Sequence, residues 1–258
     1  MNYEQYTCPG GPWTLVDGWN NIGAFTAIAE INKIQLKNKL VGNIGEIGVH
    51  EGQLFCALAL LADTPCEGYL AIDVFDNQKR NIDKSGGASF TTFRNHVGKV
   101  LGDRQKSLHV IEKDSLSIAS LLGKMMTIVA IGRNGQVSTG PITDLFRLFS
   151  VDGGHSVVHV LNDLRLVERA MTPGGVVIVD DFMNPKWPGV TEGLHIYCTD
   201  RSSRLVPFAY GNGKMYLATF DYRDEYIGFS TGHKLLKDSK LVELYGCKML
   251  WVDFGGAP

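Results

Sequence analysis

The stretch Glu46-Ile-Gly-Val-His-Glu-Gly52 lies between a short apolar run, Ile44 to Gly48, and a stretch with helical character. Glycines at these positions allow a tight turn and let the backbone come close to a ligand, as after the first strand of nucleotide-binding α/β folds. A Gly-x-x-x-Gly turn also serves merely to pack a helix on a strand, so it indicates a ligand loop only together with other features.

The rest of the chain repeats this strand-and-helix pattern. From Asn43 onward, short apolar runs alternate with amphipathic stretches, which predicts βαβ units and a mainly parallel sheet with helices on both faces. The predicted strands are Ile44 to Gly48, Tyr69 to Val74, Leu108 to Glu112, Leu148 to Asp152, and Val176 to Asp180.

Two helices and a hairpin are predicted in the second half. A clear apolar stripe runs from Val157 to Met171, and Pro173-Gly174-Gly175 is expected to end that helix. A further helix is predicted near Thr191 to Cys198. The runs Val206 to Tyr210 and Lys214 to Phe220 predict an antiparallel hairpin at one edge of the sheet.

No linker divides the 258 residues. We therefore predict one domain, 1–258, consisting of an N-terminal cover segment (1–40), a core (41–220) and a C-terminal extension (221–258).

Composition is that of an ordinary soluble protein, with 44% apolar and 20% charged residues. A net charge of -2 supplies no global attraction to nucleic acid or to an anionic membrane. A small-molecule partner is therefore expected, and binding to nucleic acid or to a membrane is not.

The five scattered cysteines indicate reduced thiols. The N-terminus has no secretory pattern and no apolar run is long enough to span a bilayer, which predicts a cytoplasmic location.

Acidic residues after the second and third predicted strands strengthen the ligand-loop interpretation. Asp73 follows Gly52 by 21 residues, where a carboxylate can bind both hydroxyls of a ribose. Asp114 and Ser115 follow the third strand and are placed beside an adenine, although an ordinary N-cap explains them equally well. The spacing Glu-x-Gly-x-x-x-Gly differs from the dinucleotide fingerprint and resembles motif I of class I S-adenosylmethionine (SAM) methyltransferases.

Three more acidic residues end two core strands: Asp152 after one, and Asp180 and Asp181 after the next. The carboxyl ends of such strands face the ligand crevice, and like charges placed together are costly unless a cation neutralises them. Oxygen ligands favour Mg²⁺, Mn²⁺ or Ca²⁺. The alternative is that these residues only cap helices or accept loop hydrogen bonds.

His155 follows Asp152 by three residues, at the start of the striped helix. Its near-neutral intrinsic pKa suits a general base, although a lone histidine there is more often plain surface. His155 and His159 are four residues apart, as in zinc hydrolases, but Ser156 stands where those enzymes place a glutamate, so zinc is not favoured.

Taken together, these motifs resemble those of one enzyme family. The chain resembles metal-dependent O-methyltransferases of the macrocin and mycinamicin sugar type over about residues 40 to 200. The segments that carry the resemblance are Glu46-x-Gly-x-x-x-Gly52, Asp73, Val151-Asp-Gly-Gly-His155, Gly174-Gly-Val-Val-Ile-Val-Asp-Asp181 and Trp187-Pro-Gly189.

The resemblance implies a Rossmann-like class I methyltransferase fold and an O-methyltransferase that uses SAM and Mg²⁺ or Mn²⁺. It implies Asp152, Asp180 and Asp181 as metal ligands and His155 as the catalytic base. The residues expected to bind SAM are Glu46, Gly48, His50, Gly52, Asp73, Asp114, Ser115 and Asp152.

The acceptor that the resemblance implies is a hydroxyl of a small molecule, in first place a sugar or glycosylated metabolite. A homo-oligomer is also expected. Catechol-type methyltransferases are a more distant resemblance, because they carry Lys at the position of His155 and Asn at that of Asp181. The polar stretch Gly132 to Pro141 and the segment Tyr3 to Trp13 are where substrate choice is expected to differ. The loop with Trp187 is expected to close over the acceptor.

Three other classes of protein fit this sequence less well. A nucleic-acid N-methyltransferase should carry an Asn/Asp-Pro-Pro-aromatic segment where this chain has Asp152-Gly-Gly-His155. A nicotinamide oxidoreductase does not fit the glycine spacing. A noncatalytic SAM-binding module would need Gly48, Gly52 and Asp73 but not the clustered acids.

Overall fold

The computed structural model describes residues 1–62, 67–118, 145–228 and 239–252. The predicted stretch Gly132 to Pro141 and Cys66 lie outside these residues. The helices are α1 Tyr3–Thr7, α2 Ile22–Lys37, α3 Gln53–Leu60, α4 Phe90–Leu101, α5 Val157–Glu168, α6 Pro188–Thr199 and α7 Arg223–Ile227. The strands are β1 Asn43–Ile47, β2 Tyr69–Asp73, β3 Leu108–Glu112, β4 Phe146–Val151, β5 Met171–Val179, β6 Leu205–Gly211, β7 Lys214–Thr219, β8 Lys240–Leu244 and β9 Cys247–Trp251.

These nine strands form one sheet in the order β3-β2-β1-β4-β5-β7-β6-β9-β8. The first five strands are parallel to one another, and β7 pairs antiparallel with both β5 and β6. The strand order reverses between β1 and β4, which is the point where open α/β sheets bind ligands. The predicted α/β class, with a mainly parallel sheet and helices on both faces, is confirmed.

Alternation along the strands produces two cores, one on each face of the sheet. On β5, Val176 and Ile178 face the core that contains α2, α3 and α4, whereas Val177 and Val179 face the core that contains α5 and α6. Side chains of a strand alternate between faces, so a continuous apolar run serves both cores. Helix α2 is itself a core element, because Phe25, Ile28 and Ile31 are fully buried.

Two boundaries predicted from the sequence are wrong. The striped helix ends at Glu168 and not at Pro173, and Met171 begins β5 opposite Phe146. Gly174 lies inside that strand with a φ of +82°, and its N–H donates to Thr219 Oγ1 at 2.7 Å. Met171 is apolar and buried in either arrangement, so its place in the apolar stripe did not distinguish helix from strand.

The sheet also extends further than the predicted hairpin. The β6–β7 hairpin forms as expected, but β9 pairs in parallel with β6, and β8 pairs antiparallel with β9. The edge of the sheet opposite β3 is therefore a second hairpin, β8–β9, which the C-terminal extension contributes. Among the residues that the structure describes, no helix is both long and apolar enough to cross a membrane.

Candidate active site

A cavity of about 560 Å³ opens at the carboxyl ends of the parallel strands. Its lining includes Gly48 after β1, Asp73 at the end of β2, Asp152 after β4 and Asp180 after β5. Strand pairing explains this convergence, because Ile47 lies opposite Val151 and Val151 lies opposite Val179. Pockets of this size are typical of small-molecule sites.

At one end of the cavity the turn after β1 is joined to β2. The His50 backbone N–H donates to Asp73 Oδ2 at 2.9 Å, and that of Phe75 donates to Asp73 Oδ1 at 2.8 Å. Burial raises the pKa of Asp73, and these two N–H donors act in the opposite direction. The carboxylate is thus held in place and still faces the cavity, where a ribose can reach it.

Gly48 is required by sterics. Its φ is +82°, and an added Cβ would lie 1.7 Å from the Asp152 carbonyl oxygen. Only glycine lets β1 pass this close to the chain after β4. Gly52 also has a positive φ, but an added Cβ there would meet the Phe93 ring at 3.0 Å, and Gly52 does not line the cavity.

Glu46, like Gly52, does not line the cavity. The residue is 1% exposed, and burial raises the pKa of its carboxyl group to about 8 although the charge of Lys214 opposes this shift. Asp114, Ser115 and His50 do line the cavity, as expected from the sequence.

The catalytic end of the cavity is centred on His155. Its Nε2 lies 2.9 Å from Asp181 Oδ2, and its Nδ1 lies 2.7 Å from Asp83 Oδ2. Asp83 also accepts a hydrogen bond from the His155 backbone N–H at 2.8 Å. Trp187 stacks on the imidazole with ring centroids 4.3 Å apart and an interplanar angle of 12°.

These contacts set the charge of the histidine. Burial lowers the pKa of His155, but the hydrogen bonds with Asp181 and Asp83 outweigh burial and raise it above its ordinary value. Burial alone would raise the pKa of Asp83, yet hydrogen bonds from the His155 backbone and from Ser85 lower it to about 2.

Two predicted metal ligands lie beside this histidine. Asp152, His155 and Asp181 each offer one ligand atom, and these atoms all lie within 4.8 Å of one another. Burial, and then the negative charge of Asp180, raise the pKa of Asp152 well above its usual range. A carboxylate whose charged state is disfavoured by a neighbouring negative charge, as that of Asp152 is, fits a divalent cation, because a cation removes this repulsion.

Asp180 has a different set of contacts. Its Oδ2 pairs with Lys214 Nζ, and its Oδ1 accepts the Asp181 backbone N–H at 2.9 Å. Lys214 is 3% exposed; burial lowers its pKa, but attraction to Asp180 and Asp152 outweighs burial and raises it. The acid cluster therefore contains its own buried cation.

Sequence reasoning missed Asp83 and Lys214. Asp83 lies in an irregular loop, and nothing in its spacing from His155 indicates that the two meet. Lys214 left a weak signal, since it is the only charged residue in the run Lys214 to Thr219 and follows a glycine turn.

Comparison with known proteins agrees with this site. A family model described as a methyltransferase domain matches residues 46–182, more than half of the chain. The chain therefore belongs to this family of methyltransferase domains, and the predicted methyltransferase class is confirmed. No curated protein sequence matches the chain.

Solved structures share the fold at low sequence identity. The O-methyltransferase NovP is 16% identical with a TM-score of 0.54, and the alignment covers 77% of this chain and 80% of that one. CalS11, a TDP-rhamnose 3'-O-methyltransferase of calicheamicin biosynthesis, is 17% identical with a TM-score of 0.53, covering 76% and 78%. A putative O-methyltransferase from Klebsiella pneumoniae is 15% identical with a TM-score of 0.51, covering 84% and 93%.

Proposed function

We propose that this protein is a SAM-dependent, divalent-metal-dependent O-methyltransferase that acts on a hydroxyl of a small molecule, a sugar or glycosylated metabolite in the first instance. The observation that carries the proposal is that one cavity contains both the Gly48 to Asp73 site and the cluster of Asp152, Asp181 and His155. A noncatalytic SAM-binding module would have no use for the second site.

SAM would lie against the turn after β1, with Asp73 at its ribose hydroxyls and Asp114 and Ser115 at its adenine. When bound, SAM would supply a methyl group on a sulfonium: the acceptor oxygen would bond to the methyl carbon, and the electron pair of the broken carbon–sulfur bond would leave with sulfur. The protein then has two tasks, which are to align the acceptor oxygen and to accept its proton.

His155 accepts the proton in this proposal. Asp83 lies at Nδ1 and can accept the hydrogen of that nitrogen, whereas Nε2 faces Asp181 and the acid cluster. A cation on Asp181 would draw that carboxylate from Nε2, which is then the nitrogen that accepts the proton. Stacking on Trp187 keeps the imidazole plane in position. Nε2 gains the hydroxyl proton as the oxygen gains the methyl group, and Asp181 stabilises the resulting imidazolium.

A divalent cation held by Asp152 and Asp181, with Asp180 in support, would lower the pKa of the acceptor hydroxyl and orient a neighbouring oxygen. Asp180 is the least available of the three predicted ligands, because Lys214 already pairs with one of its oxygens. The site otherwise fits a hard cation in charge and in donor type.

Titration calorimetry and turnover test this proposal. We expect SAM and its demethylated product to bind the wild type, EDTA to abolish methyl transfer, and Mg²⁺ or Mn²⁺ to restore it. His155→Ala should keep SAM binding and lose about 10²- to 10⁴-fold in rate, the usual contribution of a general base. The matched control is His109→Ala, an exposed histidine on β3 that does not line the cavity.

The outcomes separate the parts of the proposal. A folded protein that does not bind SAM would contradict it entirely. SAM binding without transfer to any sugar or catechol in a broad panel would favour a noncatalytic binding module. Methyl transfer in excess EDTA would show that the reaction does not require a metal. Catechols methylated in preference to sugars would favour the catechol-type alternative.

A further inference from the structure

The rim of the cavity carries three basic side chains that have no acidic partner. Arg80, Lys84 and Lys186 all line the cavity and are exposed. Within the described part of the chain, no carboxylate forms a salt bridge with any of them. Their charges are therefore available to a ligand.

Five of the six carboxylates that line the same cavity have hydrogen-bond or ion-pair partners, and Asp152 is the sixth. Asp83 and Asp181 contact His155, and Asp180 pairs with Lys214. Asp73 accepts two backbone N–H groups, and Asp114 accepts that of Leu116. The basic rim is thus not neutralised from within, although the chain as a whole has a charge of -2.

Two of these cations are chain neighbours of residues that contact the proposed catalytic histidine, and they lie on separate loops. Lys84 follows Asp83, whose carboxylate lies 2.7 Å from His155 Nδ1. Lys186 precedes Trp187, which stacks on His155, and its Nζ lies 4.8 Å from the centre of the Trp187 ring. Both lysines are therefore placed at the acceptor end of the cavity, whereas Lys113 adjoins Asp114 at the end assigned to the adenine.

We propose that the acceptor is a phosphate-bearing sugar, either a sugar phosphate or a nucleoside diphosphate sugar, and that Lys84 and Lys186 bind its phosphate oxygens with Arg80 in support. This inference rests on the proposed function, because it assigns the substrate class of the same site. Lysine is a compact charge with three donors that suits phosphate, and the phosphate replaces water around cations that have no carboxylate partner in the described part of the chain.

Burial of the acid cluster explains why the phosphate would remain at the rim. Asp152, Asp180 and Asp181 lie deeper, and their negative charge repels a second anion. The phosphate is drawn to the three cations, and the sugar is left to extend toward His155. A neutral glycoside would gain nothing from the basic rim.

Equilibrium binding tests the rim independently of turnover. The probes are uridine diphosphate and glucose 1-phosphate, each titrated calorimetrically into the protein saturated with the demethylated cofactor product. We expect binding to the wild type and a dissociation constant about tenfold or more higher in Lys84→Gln/Lys186→Gln, as for the loss of charge-assisted hydrogen bonds. Lys79→Gln, in the same loop but outside the cavity lining, is the control and should bind as the wild type does.

Turnover then distinguishes the sources of phosphate. Turnover is compared at constant ionic strength for three glucose acceptors: glucose 1-phosphate, UDP-glucose and methyl glucoside. The corresponding rhamnose compounds are tested in the same way. We expect the phosphate-bearing acceptors to be preferred, and the double variant to raise their KM about tenfold with kcat little changed.

Absence of uridine diphosphate and glucose 1-phosphate binding to the wild type, or equal binding by the double variant, would overturn the inference. So would a preference for methyl glycosides or an equal rise in KM for neutral and charged acceptors. None of these results would affect the proposed function, which fails separately if SAM does not bind or no hydroxyl is methylated.

Discussion

His155 is held on both ring nitrogens by carboxylates, and this determines how its environment responds to pH. Asp83 has a lowered pKa, so its contribution to stability is present above about pH 4 and is lost as pH falls through about 2. His155 has a raised pKa, so its contribution is present below about 6.5 and is lost as pH rises through the folded value. The pair therefore stabilises the protein most between these limits.

Asp83→Asn tests this pairing. Asparagine can still accept the His155 backbone N–H, but it removes the charge that faces Nδ1. We expect the difference in melting temperature between wild type and variant, measured without metal, to be largest near pH 5 and to shrink above pH 7. A difference that does not change with pH would mean that Asp83 acts only through the backbone hydrogen bond.

Lys214 offers a second prediction at this scale. Lys214→Met leaves Asp180 and Asp152, which are both half-buried, without their cation, and we expect a loss of roughly 1 to 3 kcal/mol of unfolding free energy. Mg²⁺ should raise the melting temperature more in the variant than in the wild type, because the acids then carry one more uncompensated negative charge. Lys248→Met, at an exposed lysine of β9, should change little. Equal effects of Mg²⁺ on both proteins would argue against a cation at this cluster.

At the scale of elements, the N-terminal segment is fastened to the first residue of α3, directly after the cofactor turn. Gln53 Nε2 donates to the carbonyls of Trp13 and Val16 at 3.2 and 2.9 Å, and its Oε1 accepts the Asn20 N–H at 2.9 Å. Gln53 is 5% exposed, so these bonds are hidden from water. They place Trp19, which lines the cavity, over His50.

Gln53→Ala should release this segment. Two carbonyls and one N–H lose their partner, and we expect a loss of roughly 2 kcal/mol in urea unfolding. Chymotrypsin should cleave at Tyr6, Trp13 or Trp19 faster than in the wild type, since local opening exposes these sites. Gln5→Ala, which alters only an exposed helix cap, is the control. Unchanged cleavage would show that the segment is held by its apolar contacts alone.

For the whole molecule, Arg147 connects elements at the end of the sheet opposite the cavity. This residue of β4 is fully buried and donates to Glu67 at 2.5 Å, to Asn32 at 2.8 Å, to Gln35 at 2.7 Å and to the Leu61 carbonyl at 2.9 Å. These partners lie on α2, in the chain after α3 and in the chain just before β2. A buried charge is tolerated here because all of these donors are paired.

Glu67→Gln and Gln35→Ala should both destabilise the fold, and Glu67→Gln by about 3 to 5 kcal/mol, because it leaves the guanidinium without its counter-charge. SAM affinity should be unchanged, since the network lies at the amino ends of the strands. Lys33→Ala, at an exposed ion pair with Glu30, should have little effect. Urea unfolding and calorimetry measure both quantities, and a weakened SAM affinity would indicate coupling across the sheet.

Much of this molecule follows from local pattern. Periodic apolar residues predicted β1 to β5 and α5, and Gly48 and Asp73 marked the ligand turn because steric and chemical requirements at such a turn are strict. Met171 was misassigned because an apolar residue suits either a helix stripe or a buried strand. The C-terminal hairpin was missed because β8 is largely exposed and has little apolar alternation.

By itself, then, the sequence determined the α/β class, the methyltransferase family and the strand ends on which Asp152, Asp180 and Asp181 lie, since these depend on periodicity and short spacing. Only the tertiary structure decided that Asp83 holds His155, that Lys214 pairs with Asp180, and that Lys84 and Lys186 share one rim. Residues 83 and 155, or 180 and 214, are distant in the chain. Their meeting depends on strand order and loop path, which local composition does not encode.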